Sequence, residues 1–144
     1  EPAALERLME RLDSSTIDPQ RLCFEITETA AVANLTAAGD FIAELRRHGC
    51  CVALDDFGSG VSSFGYLRQL PVDDLKIDGQ FIRDLPADGV NQSLVRAINQ
   101  VGHTMGVHTV AEFVEDDDTL DWVWALGVDY AQGYAVHKPE MLEG

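Results

Sequence analysis

Residues 41–58 read FIAELRRHGCCVALDDFG and decide the class of fold. Apolar residues recur at helical spacing up to Leu45, and Gly49 is typical of the residue that ends a helix. Cys51–Leu54 then predicts a short strand, which the Asp55–Asp56 pair terminates before a glycine-bearing loop. A helix that passes through a glycine directly into a strand is the repeating unit of parallel α/β sheets.

The same unit recurs along the chain. Further strands are predicted at 21–27, 74–77, 107–113 and 128–132, and a further helix at about 90–105. The last predicted helix has its acidic first turn at 116–118, ends at Gly127 and is expected to face inward with Leu120, Val123 and Trp124. A closed (βα)8 barrel needs about 250 residues, whereas this chain has 144. About five βα units with a parallel sheet therefore indicate either a receiver-like open sheet or an incomplete (βα)8 TIM-like barrel.

Five polar side chains lie in or just after the five predicted strands, toward the carboxyl end of each. They are Glu25, Asp55, Lys76, Glu112 and Gln132. Because the carboxyl ends of successive parallel strands meet at one edge of the sheet, we expect these side chains to converge.

Composition excludes several classes of function. The chain has 25 acidic and 10 basic side chains and a formal net charge of −15, which disfavours binding to polymeric nucleic acid. No apolar run approaches the roughly 18 residues of a membrane span, so we expect no membrane contact by this segment. Three cysteines, two of them adjacent, fit a reducing compartment better than a disulfide framework. We therefore expect a cytoplasmic protein.

Five motifs occur in an order and at separations that resemble those of the EAL-type cyclic di-GMP phosphodiesterases. The motifs are FEITE at 24–28, LDDFGSG at 54–60, LKID at 75–78, AEFVE at 111–115 and AQGY at 131–134. The resemblance implies a (βα)8-like barrel and an enzyme that hydrolyses cyclic di-GMP to the linear dinucleotide. It disfavours the receiver-like sheet, whose acidic pair follows the first strand and not the second.

The resemblance also implies that the family's Glu-Ala-Leu motif and an asparagine ligand lie upstream of Glu1. Residues 1–144 would then be a partial EAL domain, roughly 60% of a barrel of about 250 residues, and we expect this piece alone to be nearly inactive. The alternatives are a degenerate module that binds cyclic di-GMP or a protein without cleaving it, and a structural fragment without a ligand. Phe113 stands where the family often has glycine.

Residue roles follow from the resemblance, position by position. The implied metal ligands are Glu25, Asp55, Asp56 and Glu112. Lys76 and Glu112 are the implied catalytic residues, with Lys76 holding the attacking water. The implied supporting residues are Glu28, Ser59, Glu115 and Gln132. Ligands that are all oxygen favour two Mg²⁺ or Mn²⁺ ions, and Ca²⁺ should inhibit because it prefers longer, looser coordination.

Assembly is the last expectation. If the barrel is open, strand 22–27 presents an unpaired edge, which is a template for another chain, so we expect a homodimer. Sensor or GGDEF domains are compatible with the parent protein, as is a membrane anchor in other domains.

Overall fold

The computed structural model describes residues 22–58 and 64–133, the backbone of 136–141, and the isolated residues Arg7, Glu10, Arg11 and Asp18. Six strands lie side by side in chain order. They are β1 (Cys23–Thr27), β2 (Cys51–Phe57), β3 (Asp74–Ile77), β4 (His108–Ala111), β5 (Tyr130–Gly133) and β6 (Val136–Met141). Strands β1 to β5 are parallel, and β6 is antiparallel to β5.

The strand order separates the two alternatives that the sequence left open. A receiver-like, doubly wound sheet reverses its strand order at a switch point, whereas the order here is β1-β2-β3-β4-β5-β6 without reversal. The prediction of a parallel, barrel-like α/β sheet is therefore confirmed. Strand β6 was not predicted, because Pro139 within it cannot donate to a ladder and argues against a strand in the middle of a sheet.

Four α-helices connect the strands. They are α1 (Glu28–Ala33), α2 (Leu35–Arg47), α3 (Gly89–Thr104) and α4 (Asp117–Ala125). Short 3₁₀ helices span Gly65–Gln69, Gly79–Phe81 and Leu85–Ala87. None of the helices in the described part of the chain is both long and apolar enough to cross a lipid bilayer.

Helix α1 was not predicted. It is separated from α2 only by Asn34, whose extended backbone ends α1 and whose side-chain oxygen accepts a hydrogen bond of 3.1 Å from the Ala37 amide. The Thr27 hydroxyl caps the start of α1 in the same way. Six residues are too few to show a helical period, so capping by Thr27 and Asn34 defines this element.

The helices cover one face of the sheet and form the core there. Its largest fully buried strand residues include Val52, Leu54, Leu75 and Ile77, which meet Ile42 and Leu45 of α2 and Val95 of α3. Leu22, Phe24 and Ile26 pack against the same core, as their alternation predicts.

One predicted core residue is placed wrongly. Trp124 was expected to face inward, but it is 45% exposed. The buried stripe of α4 and its end is Thr119, Val123 and Leu126, at the spacing of one helix face, and Trp124 is turned about 100° from Val123.

A buried polar network joins α3 to β4 and the start of β5. The Thr109 hydroxyl donates to the Asn99 side-chain oxygen at 2.5 Å, and the Asn99 amide donates to the Leu126 carbonyl at 3.1 Å. The Asp129 carboxylate accepts from the Thr109 N–H at 2.9 Å and lies 2.7 Å from His103 Nε2. Burial opposes ionisation of Asp129, but the hydrogen bonds from Thr109 and His103 outweigh it and lower its pKa.

We expect Asp129→Asn to destabilise the protein by about 1 kcal/mol near neutral pH, because the bonds to a charged acceptor become bonds to a neutral one. The folded pKa of Asp129 is lowered, so the stabilisation is full above the unfolded value of about 3.9 and is lost as pH falls through the folded value. Thermal unfolding of wild type and variant should therefore differ at pH 7, begin to converge below about pH 4 and coincide only below the lowered folded pKa. Asp121→Asn, at an exposed position of α4, is the matched control. A difference that persists unchanged in acid would contradict this role for Asp129.

Candidate active site

The face of the sheet opposite the helices forms a cleft of about 430 Å³. Its lining residues alternate along β1 to β5, since every second side chain of a strand points to the same face. They are Cys23, Glu25, Ala53, Asp74, Lys76, Val110, Tyr130 and Gln132. The predicted convergence at the carboxyl ends therefore includes Glu25, Lys76 and Gln132 in one cleft.

Three carboxylates form a second group nearby. Asp55, Asp56 and Glu112 each contribute one carboxylate oxygen to this group, and the three oxygens lie within 4.8 Å of one another. Asp55 and Asp56 are consecutive residues of β2, and consecutive side chains of a regular strand point to opposite faces. They share a side because the pairing of β2 with β3 is irregular between Leu54 and Phe57, and because Asp56 has a left-handed backbone with φ 53°. The strand thus extends past Leu54, where it was predicted to end.

Glu112 is the most buried member of this carboxylate group. It follows the last residue of β4, is 9% exposed, and its Oε1 has no hydrogen-bond partner in the described part of the chain. Burial, together with the hydrogen bond and negative charge of Asp55, raises the pKa of Glu112 to about 8. Burial and the charge of Asp55 likewise raise the pKa of Asp56. Crowded carboxylates with a buried, unpartnered oxygen fit a hard divalent cation.

Lys76 stands next to this group and is paired with Glu25. The Lys76 ammonium forms an ion pair with the Glu25 carboxylate, on the face of the sheet opposite the buried Leu75 and Ile77. Burial lowers the pKa of Lys76, but the hydrogen bond and charge of Glu25 outweigh it and the pKa lies above its ordinary value. Glu25 is therefore engaged by Lys76 and is not a member of the group of three carboxylates.

Gln132 places a second unpartnered polar atom in the cleft. Its Oε1 is buried and has no hydrogen-bond partner among the described residues. The position is set by the backbone, since the Val114 N–H donates to the Gln132 carbonyl at 2.9 Å. A Cβ on the next residue, Gly133, would lie 2.4 Å from the Val114 carbonyl oxygen, so only glycine allows this close approach.

The predicted supporting residues fare differently. Glu28 is fully buried, accepts a hydrogen bond of 2.9 Å from the Gly58 N–H and another from the Tyr66 hydroxyl, so it holds the backbone directly after β2. Ser59 lies outside the described residues. Glu115 is exposed and is not a member of the carboxylate group.

Phe113 is a site feature that the motifs alone did not explain. It follows Glu112 in a left-handed conformation with φ 62°, and it is 43% exposed. The Arg83 guanidinium lies 5.0 Å from the centre of its ring, and a Cβ on Gly79 would lie 2.1 Å from that ring. The sequence did contain a sign of this strain, because a phenylalanine stands where the family often has glycine. A bulky residue with positive φ is strained.

Comparison with known proteins supports a single family. The family model for the EAL domain matches residues 1–139. Cyclic di-GMP phosphodiesterase PdeB of Shewanella oneidensis is 47% identical over 126 residues, which cover 88% of this chain and 15% of that protein. This chain thus spans a small part of the length of that relative.

Two solved structures are also similar. The FimX EAL domain of Pseudomonas aeruginosa bound to c-di-GMP has a TM-score of 0.87 and 30% identity, covering 97% of this chain and 57% of that one. The manganese/cy-diGMP complex of Klebsiella pneumoniae BlrP1 at pH 6 has a TM-score of 0.84 and 29% identity, covering 96% and 35% of the two chains.

We expect Phe113→Gly to be more stable than Phe113→Ala by about 1 kcal/mol. Both variants lose the ring and its contact with Arg83, but only glycine adopts positive φ without strain. Chemical denaturation of the pair isolates the backbone term. Equal stability of the two variants would show that no strain is stored beside Glu112.

We expect Glu112→Gln to raise the melting temperature at pH 9 in the presence of a chelator. That pH lies above the Glu112 pKa of about 8, so its carboxylate is ionised, and two ionised carboxylates 4.8 Å apart repel by roughly 3 kcal/mol at an effective dielectric of 20. The amide of the variant removes that repulsion. Added Mn²⁺ should stabilise wild type and leave the variant almost unchanged. Asp121→Asn serves again as the control. A variant that melts below wild type in chelator would indicate a structural role for Glu112.

Proposed function

The chain belongs to the EAL domain family, and we propose that it supplies the metal site and the catalytic residues of a cyclic di-GMP phosphodiesterase. The observation that carries the proposal is the group of Asp55, Asp56 and Glu112, with the unpartnered Glu112 oxygen, beside Lys76. The names of PdeB and of the c-di-GMP complexes support the choice of substrate. The proposed reaction forms a bond from water oxygen to phosphorus, breaks one P–O ester bond, and yields the linear dinucleotide.

The proposed cofactor is a pair of Mg²⁺ or Mn²⁺ ions. Asp55, Asp56 and Glu112 would hold them, with Glu25 as a further ligand. Bound ions supply charge neutralisation and an activated water for phosphodiester hydrolysis. The chemistry of the donors supports this choice, because carboxylate oxygens suit hard cations, and so does the manganese complex of BlrP1.

Two residues have proposed catalytic roles. Lys76 offsets the negative charge that develops on the phosphate and orients the attacking water, and Glu112 accepts a proton from that water. In the structure Lys76 is paired with Glu25. If Glu25 served as a ligand of a bound cation, its carboxylate would no longer pair with Lys76, and the Lys76 ammonium would be available to the substrate.

The remaining roles are supporting. We propose that Glu28 fixes the backbone at Gly58, directly after the strand that carries Asp55 and Asp56. Gln132 offers its buried amide to the substrate or to a water. Ser59 and Glu115 remain proposals from the family resemblance alone.

We also propose that residues 1–144 form a partial EAL domain, supported by their coverage of 57% of the FimX chain. Strand β1 has a neighbour on one side only in the described part of the chain, which supports a homodimer formed through that edge. The odd cysteine count supports a cytoplasmic location.

The test is turnover of cyclic di-GMP by the full-length protein with Mn²⁺, followed by chromatography of the linear product. Glu112→Gln and Lys76→Met should each lower kcat by at least about 100-fold, the usual contribution of one proton-transfer group or of one donor at a developing charge. Asp121→Asn should retain the wild-type rate.

Binding of cyclic di-GMP, measured separately by calorimetry, distinguishes the alternative of a non-catalytic module. Wild type that binds the dinucleotide tightly but does not turn it over would support that alternative. A Glu112→Gln variant at the wild-type rate would contradict the assigned roles.

A further inference from the structure

A second group of side chains that could bind a metal ion lies at the amino-terminal ends of the strands, whereas the carboxylates lie at the carboxyl-terminal ends. It consists of the first residues of β1, β2 and β3, which are Cys23, Cys51 and Asp74, and it is followed by His108, the first residue of β4. Cys23 pairs in register with Cys51, and Asp74 pairs with His108. Parallel strands thus bring the four residues together although they span most of the chain.

The side-chain atoms are close enough to share one ion. The two sulfur atoms and a carboxylate oxygen of Asp74 all lie within 4.8 Å of one another, and Cys51 Sγ is 3.7 Å from Asp74 Oδ2. Tetrahedral zinc with bonds of about 2.0–2.3 Å separates its ligand atoms by roughly 3.5 Å. Movements of about 1 Å, within the range of side-chain rotation, would therefore complete the site.

The surroundings of Asp74 favour a fixed ligand. Its second oxygen, Oδ1, lies 3.6 Å from His108 Nδ1, and the His108 ring is edge-on to Tyr130 with centres 5.8 Å apart. A histidine that contacts the second oxygen of a ligating carboxylate orients it, as outer partners of metal ligands commonly do. Cys23, Asp74 and Tyr130 line the cleft, which leaves access for the ion and for a fourth ligand.

We propose that Cys23, Cys51 and Asp74 bind one Zn²⁺ ion, with His108 orienting Asp74 and a water or small ligand in the fourth position. Two thiolates select a borderline or soft ion, which excludes Mg²⁺ and Mn²⁺ as the preferred occupants. Each coordinated thiol loses its proton to solvent. The site is separate from the carboxylate group, because Cys51 and Asp55 are about 13 Å apart along β2 at 3.3 Å per residue.

The adjacent thiol provides a matched comparison. Cys50 is next to Cys51 in sequence but belongs to the hydrophobic core and is 4% exposed. It is not a member of the metal-competent group. A site that depends on position, and not merely on thiol content, must therefore require Cys51 and tolerate the loss of Cys50.

The test is Co²⁺ and Zn²⁺ binding to the full-length protein under a non-thiol reductant. Co²⁺ should give thiolate-to-metal charge-transfer absorption in the near ultraviolet, which carboxylate ligands do not produce, and one equivalent of Zn²⁺ should displace it. Cys23→Ala and Cys51→Ala should abolish the band, while Cys50→Ala should keep it. His108→Asn should weaken Zn²⁺ binding by about 10- to 100-fold, the usual effect of losing an outer partner.

Circular dichroism of each variant shows whether it has folded. If the two cysteine variants do not fold, the wild-type spectrum and protection of two thiols from alkylation by Zn²⁺ decide the question. Absence of the charge-transfer band in wild type would overturn the proposal, as would its persistence in Cys51→Ala. A Cys23–Cys51 disulfide that forms in the presence of Zn²⁺, detected by mass spectrometry, would overturn it as well. None of these readouts depends on phosphodiesterase activity, so the two proposals fail separately.

Discussion

The rest of the site depends on the bulge in β2, where the pairing with β3 is irregular between Leu54 and Phe57. A regular strand would send Asp55 and Asp56 to opposite faces, and one carboxylate would lie in the core with Val52 and Leu54. The left-handed backbone at Asp56 keeps both on the side of Glu112. This arrangement costs backbone strain and like-charge repulsion, which a bound divalent cation would offset.

Residues around this bulge hold its backbone in place. Glu28, fully buried at the start of α1, accepts the Gly58 N–H directly after β2 ends. Glu112, at the end of β4, is also next to a residue with positive φ. This residue is Phe113, whose ring lies against Gly79 and Arg83. Two strand ends of the site therefore have local backbone geometry that is unusual for their residue types. Strain of this kind is common where side chains must converge on a ligand.

Much of the fold could be predicted from the sequence, because the glycines that end helices and the alternation of apolar and polar residues in strands are local patterns. The alternation of Leu75 and Ile77 with polar residues predicts the strand 74–77, and it places Lys76 on the face opposite these two core residues. The convergence of polar strand ends follows from parallel topology. The bulge at Asp55–Asp56 could not be predicted, since it arises from the register between β2 and β3, which no local pattern encodes. Helix α1 and strand β6 were also not predicted. Capping residues define α1, and pairing with β5 defines β6, and neither leaves a periodic pattern in the sequence.

The distribution of charge makes a cation central to any anionic ligand. With a net charge of −15, the protein offers a phosphate group few favourable contacts, and Lys76 is itself paired with Glu25. Ions held by the carboxylates would reverse the local sign. The two edges of the sheet also differ in donor chemistry, with oxygen ligands at the carboxyl end and two thiols at the amino end. Hard and soft cations would therefore be sorted to opposite ends of the fold.

Anomalous diffraction from crystals of the full-length protein soaked with Mn²⁺ tests the central claim most directly. The expected result is anomalous density among the carboxylate oxygens of Asp55, Asp56 and Glu112, with the Lys76–Glu25 pair opened. Mn²⁺ density that is absent from these three residues at saturating metal, or that occurs only elsewhere on the surface, would contradict the assignment of this carboxylate group as the metal site.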